Sequence, residues 1–564
     1  MGLVFESRNV LVVIAILFSC LPLIFGFPVG SDWGYELVRV VEYGHALADG
    51  QLPPFWANNL YHGYGSPIFL FYAPLFMLVA NGWSALLGSM VWGVSIAILF
   101  FTAVSAFFVV GMVHSLVGGN DTRGRTTARV ASYLYLLNAY LIGDKFLRNA
   151  NAEFTALCVA PLAFWGLFAL RTTPRRGVWL LAAGVCLIVI SHNLTALSMV
   201  MLLVYIGLVL YPPYSDRKRF IYVGSGILLG LLMSSFFWMP ALLLKSLVQI
   251  DQITTNRFDF HLNFPPVEWL FGYKFYAIGV WPLLLLAIAF IGGGRISSTL
   301  ERPLRGLFLA TGAATVMLLL LQTQSTMWLW EQLPMLPLFQ FPWRMMGPLA
   351  LMITIIGGLM FSQMARGWDI QRIRMMEVLV LLLSIANAVP HLATCTVINN
   401  RQEVEGLIKR GIPATISATV MDEYLPKGVK QPLEAPASII VTDQDAQVQV
   451  LVNTPMRLVF GITADEPVVV HIARWVFPIW EASINGTAAM IHAGRLQNID
   501  LSIPAGHNEV TLIVHPPLLR TIGVIVSIFA ILLWMMILLW KENGWPQCCW
   551  FNRVLKNYQE PTAA

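Results

Sequence analysis

"SDWGYELVRVVEYGHALADGQLPPFWANNLYHGYGSPIFLFYAPLFMLVANGWSALLG", Ser31 to Gly88, decides how this chain is built. It follows an apolar run at 10–27 and precedes another at 91–115. Its first half carries Asp32, Glu36, Arg39, Glu42, His45, Asp49 and His62 among Trp, Tyr and Pro; its second half is apolar but interrupted by Pro74 and Asn81-Gly82. A membrane span needs about 20 mainly apolar residues. The interruptions leave 67–88 in pieces too short to cross, so the stretch reads as a long external loop ending in a helix along the outer interface.

The rest of the chain fits that reading. Of 564 residues, 57% are hydrophobic and 12% charged, with a mean hydropathy of +0.69. Soluble domains carry about a quarter charged residues, so a multipass membrane protein is expected. The net charge of +5 is spread as short basic clusters between apolar runs. That is a topology signal, and it excludes a nucleic-acid face. Six cysteines show no metal-ligand spacing, so neither a zinc site nor a disulfide framework is implied. The opening run lacks a small-residue cleavage site and reads as a retained first helix.

Twelve span cores are expected, near 10–27, 91–115, 128–143, 153–170, 178–191, 194–211, 220–239, 276–293, 305–322, 345–365, 375–392 and 520–540. With 67–88 outside, the basic clusters of the intervening loops all fall on the side of Arg8. The positive-inside bias then makes both termini cytoplasmic. It leaves 28–90, 144–152, His192-Asn193, 240–275, 323–344 and 393–519 external. From about 437 the pattern changes to period-two alternation with β-branched residues and Asn-Gly and Ala-Gly turns, which predicts an external antiparallel β-sandwich. The expected division is a transmembrane domain at 1–419 with first external loop 28–90, a β-sandwich domain at 420–518, and a last helix and cytoplasmic tail at 519–564.

Charges beside a membrane are costly unless they face a cavity, so an external cluster of them marks a candidate site. Asp32 follows the span-ending Gly26, Pro28 and Gly30 and precedes an amphipathic stripe of Trp33, Leu37, Val40, Val41, Gly44 and Leu47; taken alone it reads as a helix N-cap. Arg148 and Glu153, in "RNANAE", read as an ion pair at a helix start or as cavity residues. His192, in "SHNLTA", satisfies a tight turn or lines a polar cavity. Arg344, in "FPWRMMGPLA", is an interfacial anchor or a fork for phosphate or carboxylate. His62, and Lys274 in the loop that also carries Lys245, Arg257 and His261, are further candidates for contacts to a ligand. Trp33, Trp56, Tyr61 and Tyr64 suit stacking on sugar faces or an interfacial belt. No nucleotide-binding fingerprint is present.

The order of an apolar span, "SDWGYELVRVVEYGHALADGQLPPFW" and "YGSPIFLFYAPL" resembles the first external loop of GT-C fold glycosyltransferases, polytopic enzymes that use polyprenyl-phosphate sugar donors. "RNANAE", "SHNLTA", "FPWRMMGPLA", "DEYLPKG" and "FPIWEASINGT" together look like the bacterial membrane family labelled 6-pyruvoyl-tetrahydropterin synthase-related. The resemblance implies a mainly α, GT-C-like membrane fold in the bacterial cytoplasmic membrane. It also implies a glycosyltransferase with Asp32 as catalytic residue, a polyprenyl-phosphate-sugar donor, and a glycan, lipid or protein acceptor. Many relatives carry a paired acidic motif where this chain has Asp32-Trp33, so no cofactor is certain and a divalent cation stays open. The alternatives are a transporter or flippase of a lipid-linked glycan and a non-catalytic cell-envelope assembly protein.

Overall fold

The computed structural model describes residues 9–118, 121–266, 277–410, 418–429, 435–436 and 438–539. Lys274 and the basic residues after 540 lie outside them. Within them the chain is mainly helical, with a β region toward the C-terminal end. Among the described residues, eight helices are long and apolar enough to cross a membrane: Met90–Val117, Asn151–Ala169, Asn193–Leu210, Val280–Thr299, Arg302–Leu320, Pro342–Met364, Ile370–Ala393 and Leu518–Ile537. A ninth, Arg217–Met233 with Ser235–Leu243, is bent by 75°.

The other three expected spans are shorter, and the reasons are local. The first breaks into Val10–Ser19 and Pro22–Phe25. Pro22 cannot donate the hydrogen bond that would continue the helix. The run at 128–143 stops at Leu136; Asn138 then caps a new turn by accepting from Tyr140 N at 2.9 Å, and this leads into a π-helix, Gly143–Arg148. Pro174–Val189 has sixteen residues and opens on Arg175 and Arg176.

The helix after Pro74 also departs from expectation. It runs unbroken as Leu75–Leu87 through Asn81-Gly82. Asn81 Nδ2 donates to Val40 O at 2.8 Å and to Met77 O at 2.9 Å, so the residue that reads as a breaker is a tether. It grips the helix Trp33–Ala48 at Gly44, where a Cβ would sit 2.3 Å from Asn81 Oδ1. Trp33–Ala48 itself is buried on its charged side as well, with Glu36, Arg39 and Glu42 all under 10% exposed. Most of this helix is internal to the first loop, with His45 left exposed near its end.

Two antiparallel sheets form the β region. One orders its strands Ile440–Thr442, Val468–Trp475, Asn498–Ile503, His492–Ala493; the other orders them Gln447–Thr454, Arg457–Ala464, Gly506–Val514, Trp480–Ile484, Thr487–Ala489. Alternate residues such as Leu458, Phe460, Val470, Ile472, Leu501 and Leu512 share one core, as period-two patterning requires. Asn485 and Gly486, at φ +51° and +79°, make the two-residue turn of one hairpin.

This region sits on the first loop. Trp475 N donates to Tyr64 O at 3.1 Å, the Tyr61 and Tyr64 rings lie 5.0 and 5.6 Å from Trp475, and Trp56 lies 5.9 Å from Trp480. These aromatics are spent on packing. The expectation that Trp56, Tyr61 and Tyr64 stack on sugars is corrected here, because the β region already covers their rings.

Candidate active site

Asp32 is placed by main-chain contacts. Ser31 N donates to Leu147 O at 3.0 Å, Asp32 N donates to Arg148 O at 2.7 Å, and Gly30 N bonds Asn149 Oδ1. Gly30 allows this approach: a Cβ there would fall 2.6 Å from Leu147 O. The loop after the first helix is thereby fixed against the end of the π-helix. Rare π-helical turns recur at functional sites. Asp32 stands at the N-cap position of Trp33–Ala48, yet its carboxylate accepts no capping bond and, among the described residues, its side-chain hydrogen bond is to the neighbouring Ser31 Oγ at 3.2 Å. The bland reading of this residue therefore has no hydrogen bond behind it.

Asp32 lines a cavity of about 580 Å³ together with Arg148, Glu153, His192 and Arg344, within the usual range for ligand sites of about 300–1,000 Å³. Five residues from four separated stretches thus share one space. Glu153, 3% exposed, sits at its floor: Oε1 accepts from Tyr140 Oη at 2.5 Å, and Oε2 accepts from Arg148 Nη1 at 3.0 Å and lies 3.5 Å from Arg344 Nε. Arg148 also bonds buried Asp144 and lies 4.7 Å over the Trp343 ring. Both arginines are thus held rigidly around one carboxylate, and Arg344 Nε makes no hydrogen bond.

His192 caps the helix Asn193–Leu210. Its Nδ1 accepts from Thr195 N at 3.3 Å, which leaves the ring proton on Nε2. Burial, helped by the guanidiniums of Arg344 and Arg148, pulls its pKa down to about 4, so it faces the cavity as a neutral donor near pH 7. Cap and donor can be separated by His192→Asn, because Asn is an equally good cap. The expected result is an unchanged melting temperature with ligand binding weakened about 10–100-fold, the worth of one hydrogen bond to a charged group. Wild-type affinity in that variant would reduce His192 to its cap.

Sequence reading passed over the opposite wall. Glu36 and Arg39 lie one and two turns beyond Asp32 on the same helix face, a spacing of i+4 and i+7 that could have flagged them. Glu36 Oε1 accepts from Arg39 Nη2 at 2.7 Å and Tyr72 Oη at 2.8 Å, and Arg39 Nη1 reaches Ala418 O at 3.0 Å. Burial pushes the Glu36 carboxyl up against the opposing pull of Arg39. The segment 418–424, which runs into the "DEYLPKG" motif at Asp422, contributes Thr419, Val420, Glu423 and Tyr424 to this wall, and Tyr424 stacks on Phe71 at 5.6 Å. Ile250, Ile253, Phe258, Leu262 and Phe264 make the remaining wall apolar.

One expected residue is elsewhere. His62 sits in the turn Tyr61–Gly63 under the β region, at φ +57°, away from the cavity lining; the aromatic packing of that loop turns it aside. Lys274 lies outside the described residues. His261, in the apolar wall's loop, places Nδ1 2.7 Å from Asp259 Oδ1 and Nε2 3.4 Å from Glu331 Oε1. Hydrogen bonding to Asp259 and the charge of both carboxylates raise its pKa above 6.5. A neutral ring has one N–H and serves one carboxylate; the protonated ring serves both. A raised folded value means this latch is fully present below about pH 6.5 and lost as pH climbs through the raised value. Hydrogen exchange at 256–262, corrected for intrinsic rates, should therefore quicken as pH climbs from about 6.5 through the raised value, and His261→Gln should flatten the dependence.

Among the described residues no group of three or more His, Cys, Asp or Glu could hold a metal ion.

No protein-family model and no curated protein matches the chain, so the family-level label that the motifs suggest is not supported. Solved structures do overlap it. The arabinofuranosyltransferase AftD from Mycobacteria is 16% identical at a TM-score of 0.44, covering 72% of this chain and 29% of that one. An oligosaccharyltransferase of Archaeoglobus fulgidus is 12% identical at a TM-score of 0.37, covering 72% of this chain and 55% of that one. The chain spans under a third of the arabinofuranosyltransferase's length. Both similar chains are, by their names, sugar transferases.

Proposed function

We propose that this chain is a membrane glycosyltransferase that moves a sugar from a polyprenyl-phosphate-linked donor to an acceptor at the external face of the bacterial cytoplasmic membrane. One observation carries the reading: an uncommitted carboxylate, Asp32, shares a cavity with fixed arginines on one side and an apolar wall on the other. A lipid phosphate sugar has that same division, an anionic head joined to an apolar tail.

Asp32 takes the proton of the acceptor hydroxyl as its oxygen bonds to the sugar's anomeric carbon. The bond from that carbon to the donor phosphate breaks, and polyprenyl phosphate leaves with the electron pair. A single displacement inverts the anomeric centre. Arg344, Arg148 and the Nε2–H of His192 face the phosphate that gains charge, in a cleft where such interactions are stronger than in water. The apolar wall holds the first isoprene units and keeps out water that would compete with the acceptor.

The test is transfer itself. The full-length chain in proteoliposomes is given a panel of radiolabelled polyprenyl-phosphate sugars with a cell-envelope glycan and lipid extract as acceptor. Label in a new glycosidic bond supports the proposal. Label that crosses the bilayer without one supports a transporter, and failure with every donor overturns the enzyme reading.

A further inference from the structure

At the rim of the cavity the chain makes one turn that its sequence does not favour. Gln340 lies at φ +64°, ψ −45°, and across it Phe341 N donates to Phe339 O at 2.6 Å. This is a γ-turn of the positive-φ kind, which is rare and strained, and such strain gathers where the surroundings hold a residue in place for a task. Glycine would adopt this backbone without a steric penalty.

The glutamine side chain accounts for its presence. Oε1 accepts from Arg344 Nη1 at 2.6 Å, and Nε2 donates to Ile253 O at 2.8 Å. One amide therefore joins the guanidinium that faces Glu153 to the turn Ile250–Thr254, two of whose residues, Ile250 and Ile253, belong to the apolar wall. Phe339 O supplies Arg344 Nη1 with a second acceptor at 3.0 Å, so the turn orients Arg344 from its backbone as well.

We infer that Gln340 is a positioning residue: it fixes the Arg344 guanidinium relative to the apolar wall, so that a phosphate and the first part of its lipid tail meet one preset pair of surfaces. The ligand side of this inference rests on the proposed function; the mechanical coupling does not. Two substitutions separate the strain from the bonds. Gln340→Gly removes both amide bonds and relieves the backbone, whereas Gln340→Met removes the bonds and keeps the bulk.

The experiment uses the full-length chain in detergent with undecaprenyl phosphate as probe. Melting temperature, ligand-induced melting shift and hydrogen exchange of 250–254 are read together. Both variants should exchange several-fold faster at 250–254 and bind the probe about tenfold more weakly, the worth of a lost charged hydrogen bond. Gln340→Gly should melt no lower than wild type and above Gln340→Met. Unchanged exchange at 250–254 overturns the coupling, and a Gly variant melting below the Met variant overturns the strain. Faster exchange in a protein whose wild type ignores the probe supports the coupling and sinks the lipid-phosphate reading instead.

Discussion

Asp32→Asn is expected to lower sugar transfer by about 10²- to 10⁴-fold, the usual worth of a positioned general base, while leaving the melting temperature where it is. The two halves of that expectation come from different observations. Asn keeps the size and polarity of the side chain but cannot take a proton at neutral pH. Stability should hold because little of the fold hangs on the carboxylate: it makes no capping bond, and among the described residues its side-chain hydrogen-bond partner is a neighbouring serine. The main-chain bonds that dock Ser31 and Asp32 on Leu147 and Arg148 do not involve the side chain and survive the change. Transfer is read with whichever donor the proteoliposome panel identifies, and unfolding is followed by intrinsic fluorescence in detergent. A variant that folds and transfers at the wild-type rate removes Asp32 from the mechanism. A variant that loses activity only in step with its folded fraction assigns the residue to structure.

Charge was the legible part of this molecule. Asp32, Arg148, Glu153, His192 and Arg344 stand out in the sequence because each interrupts or borders an apolar run, and a membrane protein tolerates that only where polar groups meet. They do line one cavity; what each does there remains a proposal. The residues that escaped notice fail the same criterion. Gln340 is uncharged, and its importance lies in a backbone angle that no side-chain pattern announces. Glu36 and Arg39 sit in a stretch so rich in charge that neither stands out from its neighbours, yet folding buries both, and Arg39 reaches Ala418 O.

Three of the expected spans are shorter as helices for a related reason. Hydropathy registers how apolar a run is but not where its helix stops, and Cys20-Leu21 and Leu137-Asn138 stop theirs within apolar surroundings. Asn81 erred in the other direction, because an asparagine that finds Val40 O across the interface has no reason to break its own helix. The β region was readable from alternation alone, since two-sided sheets write their geometry into every second residue. Its docking on the first loop was not, because Trp56, Tyr61 and Tyr64 carry the same signature whether they meet a sugar, a headgroup or Trp475 and Trp480.

Glu153→Ala is expected to cost the largest share of stability, about 3–5 kcal/mol, the range for removing one partner from a buried ion pair. The reason is what it strands. Glu153 is the shared acceptor of Tyr140 Oη and Arg148 Nη1 and the nearest carboxylate to Arg344 Nε. With it gone, Arg148 loses one carboxylate while its bond to Asp144 remains, and Arg344 is left, among the described residues, with neutral hydrogen-bond acceptors on Phe339 and Gln340. Native proteins hold about 5–15 kcal/mol in all, so the variant should express poorly or melt far below wild type. Glu153→Gln separates the two roles of the carboxylate. Its amide oxygen can still accept from Tyr140 or Arg148, so less than half of the loss is expected, and a folded protein should result. If the cluster serves only the fold, that protein transfers sugar in proportion to its folded fraction. If the cluster holds Arg148 and Arg344 for an incoming phosphate, the neutral side chain releases their alignment, and the folded enzyme should need a higher donor concentration for half-maximal rate. A donor requirement unchanged from wild type in Glu153→Gln would leave the arginines as a structural staple and take the phosphate out of this end of the cavity.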